Sequence, residues 1–381
     1  MELPTGTGKG NMEVPKILHM VGGQGQNSYY TNSLFQKKVI LKTRPILEQS
    51  ISKLCQTNSI DLLKMAEMGC SSGPNALLPL WEIIQTIDST LHQKQKPPSL
   101  QVFLNDLTGT DFNTIFRSLV PTFLHKLHKE KGDKFTSCFI GAMPGSFHGR
   151  LFPHNSLNFV HSSCSLHWLS QVPDGLVSES GNPLNKGNIC VAETSPQSVQ
   201  KAYLDQFEKD FTSFLRSRSE EVISGGRMVI TVTAKNDSPY CIYGSDIWPL
   251  IGMSLNDMAQ EGRIQQSMLD NWNIPLYYPC AEEVSGVVER ENSFEIERIE
   301  EFELSWDTNI ADGNKDLVFD KWERGKHVAG LMRAGAESMI IDQFGEAIVD
   351  LLFDRLSLKA AHYLEKGIGV FNHVVISIIR K

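Results

Sequence analysis

A turn rich in glycine and serine carries the most informative chemistry of this 381-residue chain. It reads Glu-Met-Gly-Cys-Ser-Ser-Gly-Pro-Asn over residues 67–75, between a short apolar run and an apolar segment with helical spacing, Ala76 to Leu91. A strand, a glycine turn and a helix bring backbone N–H groups and a helix N-terminus against a nucleotide-like ligand. The turn has neither G-x-G-x-x-G spacing nor the lysine of a P-loop. The alternative is that its glycines serve the turn alone.

Glu67 beside this turn favours a ligand with ribose hydroxyls and an amino acid tail, and S-adenosylmethionine (SAM) fits that description. Asp106 ends the next predicted strand, where an ionised carboxylate can accept two ribose hydroxyl hydrogen bonds. Its alternative role is to cap the segment that follows. Ser146 and Phe147 lie in a turn just beyond the third strand and suit an adenine ring. The Gly-Ser-Phe sequence is not a nucleophile elbow, which requires G-x-S-x-G.

A group of reactive and aromatic side chains follows the fourth predicted strand. Cys164, His167 and Trp168 fall over the same predicted pocket, where His167 and Trp168 suit contacts to a second substrate. A catalytic Cys–His pair and a packed core His and Trp are the alternatives. The glycine-rich segment 18–33 precedes the first strand and predicts a flap that closes over a ligand; a disordered tail is its alternative.

The apolar pattern predicts an α/β fold with a doubly wound, mostly parallel sheet. Helical patterns are expected between the first five strands, as over Val199–Glu221, and Phe294–Leu304 is expected to be an outer strand. The predicted organisation is an α/β core with the flap (1–238), a helical cap (239–290), a core strand (291–305), a second part of the cap (306–369) and a final core strand (370–381). We expect the polar segment Trp306–Lys321 to be a mobile loop. The six predicted buried strands are Leu63–Met68, Leu100–Leu104, Phe135–Ile140, Leu157–Val160, Met228–Thr233 and His373–Ile379.

The composition excludes several classes of protein. The formal net charge is −8, which argues against a nucleic-acid surface. No apolar run approaches the roughly 18 residues of a membrane span. The seven cysteines include no C-x-x-C pair, so neither a disulfide framework nor a zinc site is expected. The N-terminus has no secretion signal, and we expect a cytoplasmic protein.

Six motifs follow one another in an order that resembles the plant SABATH methyltransferases. They are Leu18–Ser33, Gly69–Asn75, Asn105-Asp106-Leu107 with Asp111-Phe112-Asn113, Pro144–Phe147, Ser165–Leu169 and Phe344-Gly345-Glu346. The resemblance covers essentially the whole chain. It implies a Rossmann-like SAM methyltransferase core with an α-helical cap, a homodimer, and transfer of a methyl group to small acids such as salicylate, benzoate and jasmonate, or to ring nitrogens of xanthine alkaloids.

The resemblance also implies roles for particular residues. The predicted SAM-binding residues are Ser33, Glu67, Gly69, Asn75, Asp106, Leu107, Ser146 and Phe147. The predicted acceptor-binding residues are Tyr29, Gln36, Cys164, His167, Trp168, Ile247, Trp248, Tyr277, Met332, Gly335 and Phe371. Some members hold a divalent ion, and a structural Mg²⁺ would lie near Asn185, Asp270, Trp272 and Asn273.

Departures from the family pattern bear on the methyl acceptor. Cys164 replaces the commoner tyrosine and Gly335 replaces a branched residue, so both free volume that suits a bicyclic purine. Val21 stands where acid-methylating members often carry lysine. We therefore predict a xanthine alkaloid N-methyltransferase of the caffeine synthase branch, with a carboxyl O-methyltransferase as the alternative. A xanthine N–H must lose its proton, and His167 is predicted to accept or orient that proton beside Trp168.

Overall fold

Seven strands of the described residues form one sheet. The computed structural model describes residues 18–57, 60–91, 97–132, 137–235, 247–308 and 319–381. Residues 135–136 of the third predicted strand, residues 309–318 of the predicted mobile loop and the predicted boundary at 238–239 lie outside these ranges. The strands are β1 (Leu62–Met68), β2 (Ser99–Asp106), β3 (Cys138–Pro144), β4 (Leu157–Ser163), β5 (Val222–Ala234), β6 (Phe294–Ser305) and β7 (Val370–Arg380). Their spatial order is β3-β2-β1-β4-β5-β7-β6.

The sheet is mostly parallel, as predicted. Strands β1 to β5 pair in parallel, whereas β7 runs antiparallel to both β5 and β6. Strand β6 is an outer strand of the sheet, as its sequence predicted. The direction of β7 was not predicted, because a buried apolar run reads alike in either direction.

Helices cover both faces of the sheet. Leu63 and Met65 of β1 face one hydrophobic cluster, and Ala66 and Met68 face the other, as the alternation of a strand requires. The α-helices of five or more residues are α1 (Leu34–Thr57), α2 (Leu78–Thr90), α3 (Val120–Lys131), α4 (Gln197–Glu221), α5 (Trp248–Gln260), α6 (Gln266–Asp270), α7 (Ala281–Glu291), α8 (Lys321–Phe344) and α9 (Val349–Glu365). The first cluster includes residues of α1 to α3 and the second includes residues of α4 and α7.

One predicted crossover helix was wrong. Residues 145–156 join β3 to β4 without any helix, so this connection crosses the sheet as an irregular loop. Pro144, Gly145, Gly149 and Pro153 interrupt every helical pattern there. The helix predicted from Val199 agrees closely with α4. The helix predicted from Ala76 begins instead with a 3₁₀ turn, Pro74–Leu77, which leads into α2.

Four further helices contribute to a third hydrophobic cluster. Residues of α5, α6, α8 and α9 pack around Trp272 and Trp306. Helix α7 differs, because its buried residues Val284, Val287 and Val288 join the cluster that contains α4 and β6. Helix α7 therefore packs against β6 and α4, and the division into core and cap stays a prediction. Within the described residues, no helix has both the length and the apolar character needed to cross a membrane.

Candidate active site

A cavity lies where the carboxyl ends of β1 to β5 meet the helices of the third cluster. Four lining residues lie at the carboxyl ends of β1, β2, β4 and β5: Gly69, Asp106, Cys164 and Thr233. Parallel α/β sheets bind their ligands at this edge. Fourteen of the predicted site residues line the cavity: Tyr29, Gln36, Gly69, Asp106, Leu107, Ser146, Phe147, Cys164, His167, Trp168, Trp248, Met332, Gly335 and Phe371.

The turn after β1 forms the floor of this cavity. Gly69 has a positive φ of 74°, and a Cβ built there would lie 2.1 Å from Ser165 Oγ. Only glycine fits at this position, because a side chain would have to occupy the space of Ser165. The N–H groups of Gly69 and Cys70 both donate to the carbonyl of Asn105, at 2.9 Å each. The turn is thus attached to the end of the neighbouring strand β2.

Two backbone N–H groups and one hydroxyl donate hydrogen bonds to the carboxylate of Asp106. The Ser71 N–H donates to Oδ2 at 2.6 Å, and the Leu107 N–H and Thr110 hydroxyl donate to Oδ1 at 2.8 and 2.7 Å. Burial raises the pKa of Asp106, while these hydrogen bonds oppose the rise. Because Oδ2 has a single donor, it keeps a lone pair that can accept a ligand hydroxyl.

Ser146 and Phe147 reach the cavity from the loop that joins β3 to β4. The amide of Asn105 donates to the carbonyls of Met143 and Gly145, at 2.7 and 2.9 Å. The Gly145 N–H donates to the carbonyl of Asp106 at 2.9 Å. The start of this loop is therefore fixed by β2, the strand that also carries Asp106.

Three predicted SAM-binding residues do not line the cavity. Glu67 points instead to β4, where its carboxylate lies 2.7 Å from His161 Nδ1. Burial raises the pKa of Glu67, and His161 opposes that rise. Asn75 donates to the carbonyl of Ser33 at 2.8 Å, so these two residues join the 3₁₀ turn to the start of α1. They support the wall of the cavity from behind.

Two predicted acceptor-binding residues also lie elsewhere. Ile247 is fully buried in the third cluster. The Tyr277 N–H donates to the carbonyl of His167 at 3.0 Å, but its hydroxyl turns away to Glu283 and Lys235. Tyr278 lines the cavity in its place. Adjacent residues of an extended segment point to opposite sides, so the Tyr-Tyr pair signalled that one ring faces the cavity without showing which.

An aromatic wall surrounds His167. Its ring lies 5.3 Å from that of Tyr278, and Trp168 contacts Trp248 edge to face at 5.7 Å. The Trp248 indole N–H donates to the hydroxyl of Tyr278 at 2.9 Å. Sequence reasoning missed several further lining residues, which have the apolar or small side chains of an ordinary core: Phe35, Thr233 and Leu331 among them.

The protonation of His167 follows from its surroundings. The Thr233 N–H donates to Nδ1 at 3.2 Å, so the neutral ring carries its proton on Nε2. Burial, and then the nearby His373, lower the pKa of His167 to about 3. Burial raises the pKa of Cys164 to about 12. Both groups are neutral near pH 7, which argues against the thiolate–imidazole pair.

The flap closes one side of the cavity. Leu18, His19 and Met20 line the cavity, and the Val21 N–H donates to the carbonyl of Ala334 in α8 at 2.9 Å. Ser338 of the same helix donates to the carbonyl of His19 at 2.9 Å. Across the cavity mouth, the Gly23 N–H donates to the Asp111 carboxylate at 3.1 Å. Residues 18–33 are therefore attached on both sides rather than forming a free tail.

The magnesium site predicted from the resemblance finds no support. The side-chain oxygens that would bind the ion already accept hydrogen bonds: Ser195 donates to Asn185 Oδ1, and the Asn185 amide donates to Asn273 Oδ1, both at 2.7 Å. Asp270 accepts from Gln266 and from the Gly187 N–H. In the part of the chain that the structure describes, no three His, Cys, Asp or Glu side chains form a cluster that could hold a metal.

A doubly wound, mostly parallel sheet with a cavity at the carboxyl ends of its strands is the architecture of SAM-dependent methyltransferases. Residues 15–381 match the family described as SAM dependent carboxyl methyltransferases, and the chain belongs to this family, the SABATH methyltransferases. Its fold superimposes on a loganic acid methyltransferase with SAH at a TM-score of 0.80, with 31% identity over 95% of this chain and 98% of that one.

Curated relatives carry two kinds of name. Two from Coffea arabica, "Probable caffeine synthase 4" and "3,7-dimethylxanthine N-methyltransferase 1", are each 44% identical over 97% of this chain and 98% of their own. A "Probable jasmonic acid carboxyl methyltransferase 1" from Theobroma cacao is 42% identical over 97% of this chain and its whole length. The family is thus shown, and the relatives' names divide between nitrogen and carboxyl acceptors.

Proposed function

We propose that the protein transfers the methyl group of SAM to a ring nitrogen of a xanthine alkaloid, of the methylxanthine to theobromine or caffeine type. The observation that carries this proposal is the aromatic wall with His167 at its centre. Trp168 and Trp248 are in edge-to-face contact, so a flat bicyclic purine can lie against the wall that these two rings form. Among the described residues that line the cavity there is no lysine or arginine, so the site is suited to a neutral acceptor.

The residues present fit SAM at the carboxyl ends of β1 to β3. The free lone pair of Asp106 would bind the ribose, and Ser146 and Phe147 would bind the adenine ring, while Gly69 and Leu107 complete this end of the cavity. Ser33, Glu67 and Asn75 would act by supporting these residues. SAM supplies the activated methyl group, so the chain's own contribution is to orient the acceptor and exclude water, which can lower a barrier by roughly 7–11 kcal/mol.

His167 acts in this proposal as a hydrogen-bond donor and not as a base. Its Nδ1 is occupied by the Thr233 N–H, and its proton lies on Nε2. The lowered pKa, about 3, makes the ring a poor proton acceptor. It would therefore donate to a carbonyl oxygen or a ring nitrogen of the purine and fix its orientation. The proton of the acceptor N–H is lost to the bulk solvent, before the acceptor binds or after the product leaves the cavity.

Carboxyl O-methylation is the second candidate. The relative from Theobroma cacao favours it by name, and a donor at His167 Nε2 can bind a carboxylate oxygen as readily as a purine carbonyl. A carboxylate arrives ionised and requires no base. Gln36, whose buried side-chain oxygen has no partner within the described residues, is a further polar group at the cavity.

An acceptor panel with methyl-labelled SAM decides between the two candidates. We expect label in products of xanthine, 7-methylxanthine or theobromine. Label confined to methyl esters of benzoate, salicylate or jasmonate would instead establish the carboxyl methyltransferase. With theobromine as acceptor, His167→Ala should lower kcat/KM about tenfold or more and His167→Gln, which keeps a donor, less so. His154→Ala, at an exposed histidine, is the matched control. An unchanged kcat/KM for His167→Ala would remove His167 from the mechanism.

A homodimer and a cytoplasmic location remain predictions. Light scattering coupled to size exclusion tests the first, and imaging of a fluorescent fusion tests the second.

A further inference from the structure

The last turn of α4 contains an ion pair that is completely buried. Arg218 and Glu221 are both 0% exposed. The guanidinium contacts the carboxylate side-on, from Nε to Oε2 at 2.7 Å and from Nη2 to Oε1 at 2.9 Å. Full burial of a charged pair is unusual and costly, and replacement by apolar residues often stabilises a protein. Stability alone is therefore a weak reason for this pair.

Apart from a weak contact to Met68 of β1, the remaining side-chain hydrogen bonds of the pair lead towards the loop after β3. Arg218 donates from Nη1 to the carbonyl of Phe147 at 2.9 Å and from Nη2 to that of Gly149 at 2.8 Å. Glu221 Oε1 accepts from the N–H groups of Leu151 and Phe152, at 2.5 and 2.9 Å. With a weak contact from Nη1 to a methionine sulfur, every N–H of the guanidinium has a partner.

The loop after β3 needs hydrogen-bond partners from other segments to fix its backbone. Residues 145–152 belong to no helix or strand, so their backbone groups cannot pair within regular structure. Asn105 fixes the start of the loop, and Ser213 of α4 donates to the carbonyl of His148 at 2.8 Å. The Arg218–Glu221 pair holds the remainder. The carbonyl that Arg218 binds belongs to Phe147, whose ring lines the cavity.

We propose that Arg218 and Glu221 are positioning residues, which hold Ser146 and Phe147 in place for SAM and thereby set the affinity for SAM without touching it. This inference rests on the proposed SAM site at those two residues. A loop freed from the pair would move the Phe147 ring and the Ser146 hydroxyl together, while the acceptor wall around His167, which lies on other segments, would stay unchanged.

The double variant Arg218→Met with Glu221→Leu tests the proposal, because it removes both charges together and leaves neither unpaired. Titration calorimetry with SAH and steady-state kinetics would be measured beside the melting temperature. We expect the Kd for SAH and the KM for SAM to rise tenfold or more. The acceptor KM, and kcat at saturating SAM, should change less than threefold. Hydrogen exchange should increase in peptides that cover residues 145–152.

Two single variants sharpen the test. Arg218→Lys keeps the charge but cannot span both loop carbonyls and the carboxylate, so a smaller rise in the Kd for SAH is expected. Arg227→Lys is the matched control, because Arg227 is a mostly buried partner of Glu297 that does not line the cavity. It should leave the Kd for SAH unchanged even where it lowers the melting temperature.

An unchanged Kd for SAH in the folded double variant would overturn the inference, and Arg218→Lys is judged by the same criterion should the double variant fail to fold. Equal losses in SAM affinity, acceptor affinity and kcat would indicate general damage and also count against it. If the wild-type protein does not bind SAH, the proposed SAM site itself is wrong. That result is distinguishable from a failure of the positioning role, in which the wild type binds SAH and the double variant binds it equally well.

Discussion

Two acidic side chains that the sequence assigned to one pocket have different surroundings. Asp106 lines the cavity and accepts hydrogen bonds from Ser71 and from the loop that follows it, whereas Glu67 pairs with His161 behind the cavity floor. Asp106 ends β2 and Glu67 lies one residue before the end of β1, and the sequence cannot show on which side of the backbone such a side chain points. Spacing located the pocket, but tertiary contacts with β4 decided which carboxylate enters it.

This difference predicts unequal effects of neutralising the two carboxylates. Asp106→Asn should raise the Kd for SAH about tenfold, because a hydrogen bond to a charged acceptor contributes roughly 1.5–3 kcal/mol and an amide would also face the Ser71 N–H. Glu67→Gln should raise it less than twofold and lower the melting temperature instead. Calorimetry on both purified variants checks this. Comparable losses of SAH affinity in the two variants would show that Glu67 contributes to SAM binding as Asp106 does.

At the scale of elements, the sequence predicted what periodicity encodes and missed what only packing decides. The apolar runs located β1 to β5, and the 3- and 4-residue spacing located α4 almost to the residue. The connection over residues 145–156 was wrongly expected to contain a helix, although its prolines and glycines argue otherwise. The choice between Tyr277 and Tyr278 depends on the pairing of Leu276 with Trp168, a contact between distant segments.

Helix α8 offers a test of the acceptor's size. A Cβ on Gly335 would lie 3.5 Å from the sulfur of Met20, which is an ordinary contact, so Gly335→Ala should fold, stay active and gain up to about 1 kcal/mol in helix stability. Gly335→Leu would extend into the cavity. It should raise the KM for a methylxanthine roughly tenfold, since overpacking costs about 1–3 kcal/mol.

The alanine variant is the matched control for that experiment. A leucine variant that binds methylxanthines as well as the alanine variant does would show that the acceptor lies away from α8, and the assignment of Gly335 would then be wrong. Steady-state kinetics with SAM held saturating separates this effect from any change in SAM binding.

At the scale of the whole molecule, two buried histidines lie next to Thr233 of β5. His167 lines the cavity at the end of β4, and His373 of β7 stacks on Phe302 at 5.0 Å. His373 pairs with Thr233, the residue whose N–H donates to His167. Burial is the first cause that lowers the pKa of each to about 3.

Acid should therefore begin to destabilise the fold already below about pH 6.5. Below about pH 6.5 the unfolded chain binds protons at these two histidines that the folded chain does not bind. Stability is thus fully present above pH 6.5 and is lost as the pH falls towards 3, by up to about 1.4 kcal/mol per pH unit for each histidine.

Urea unfolding at pH 7.5, 6.5, 5.5 and 4.5 should show this slope, and His373→Phe should reduce it by the share of one histidine. Phe302→Leu disturbs the same stack without removing a titratable group, so it should lower stability at every pH and leave the slope as in the wild type. A His373→Phe variant with the full wild-type slope would mean that His373 is already protonated in the folded protein.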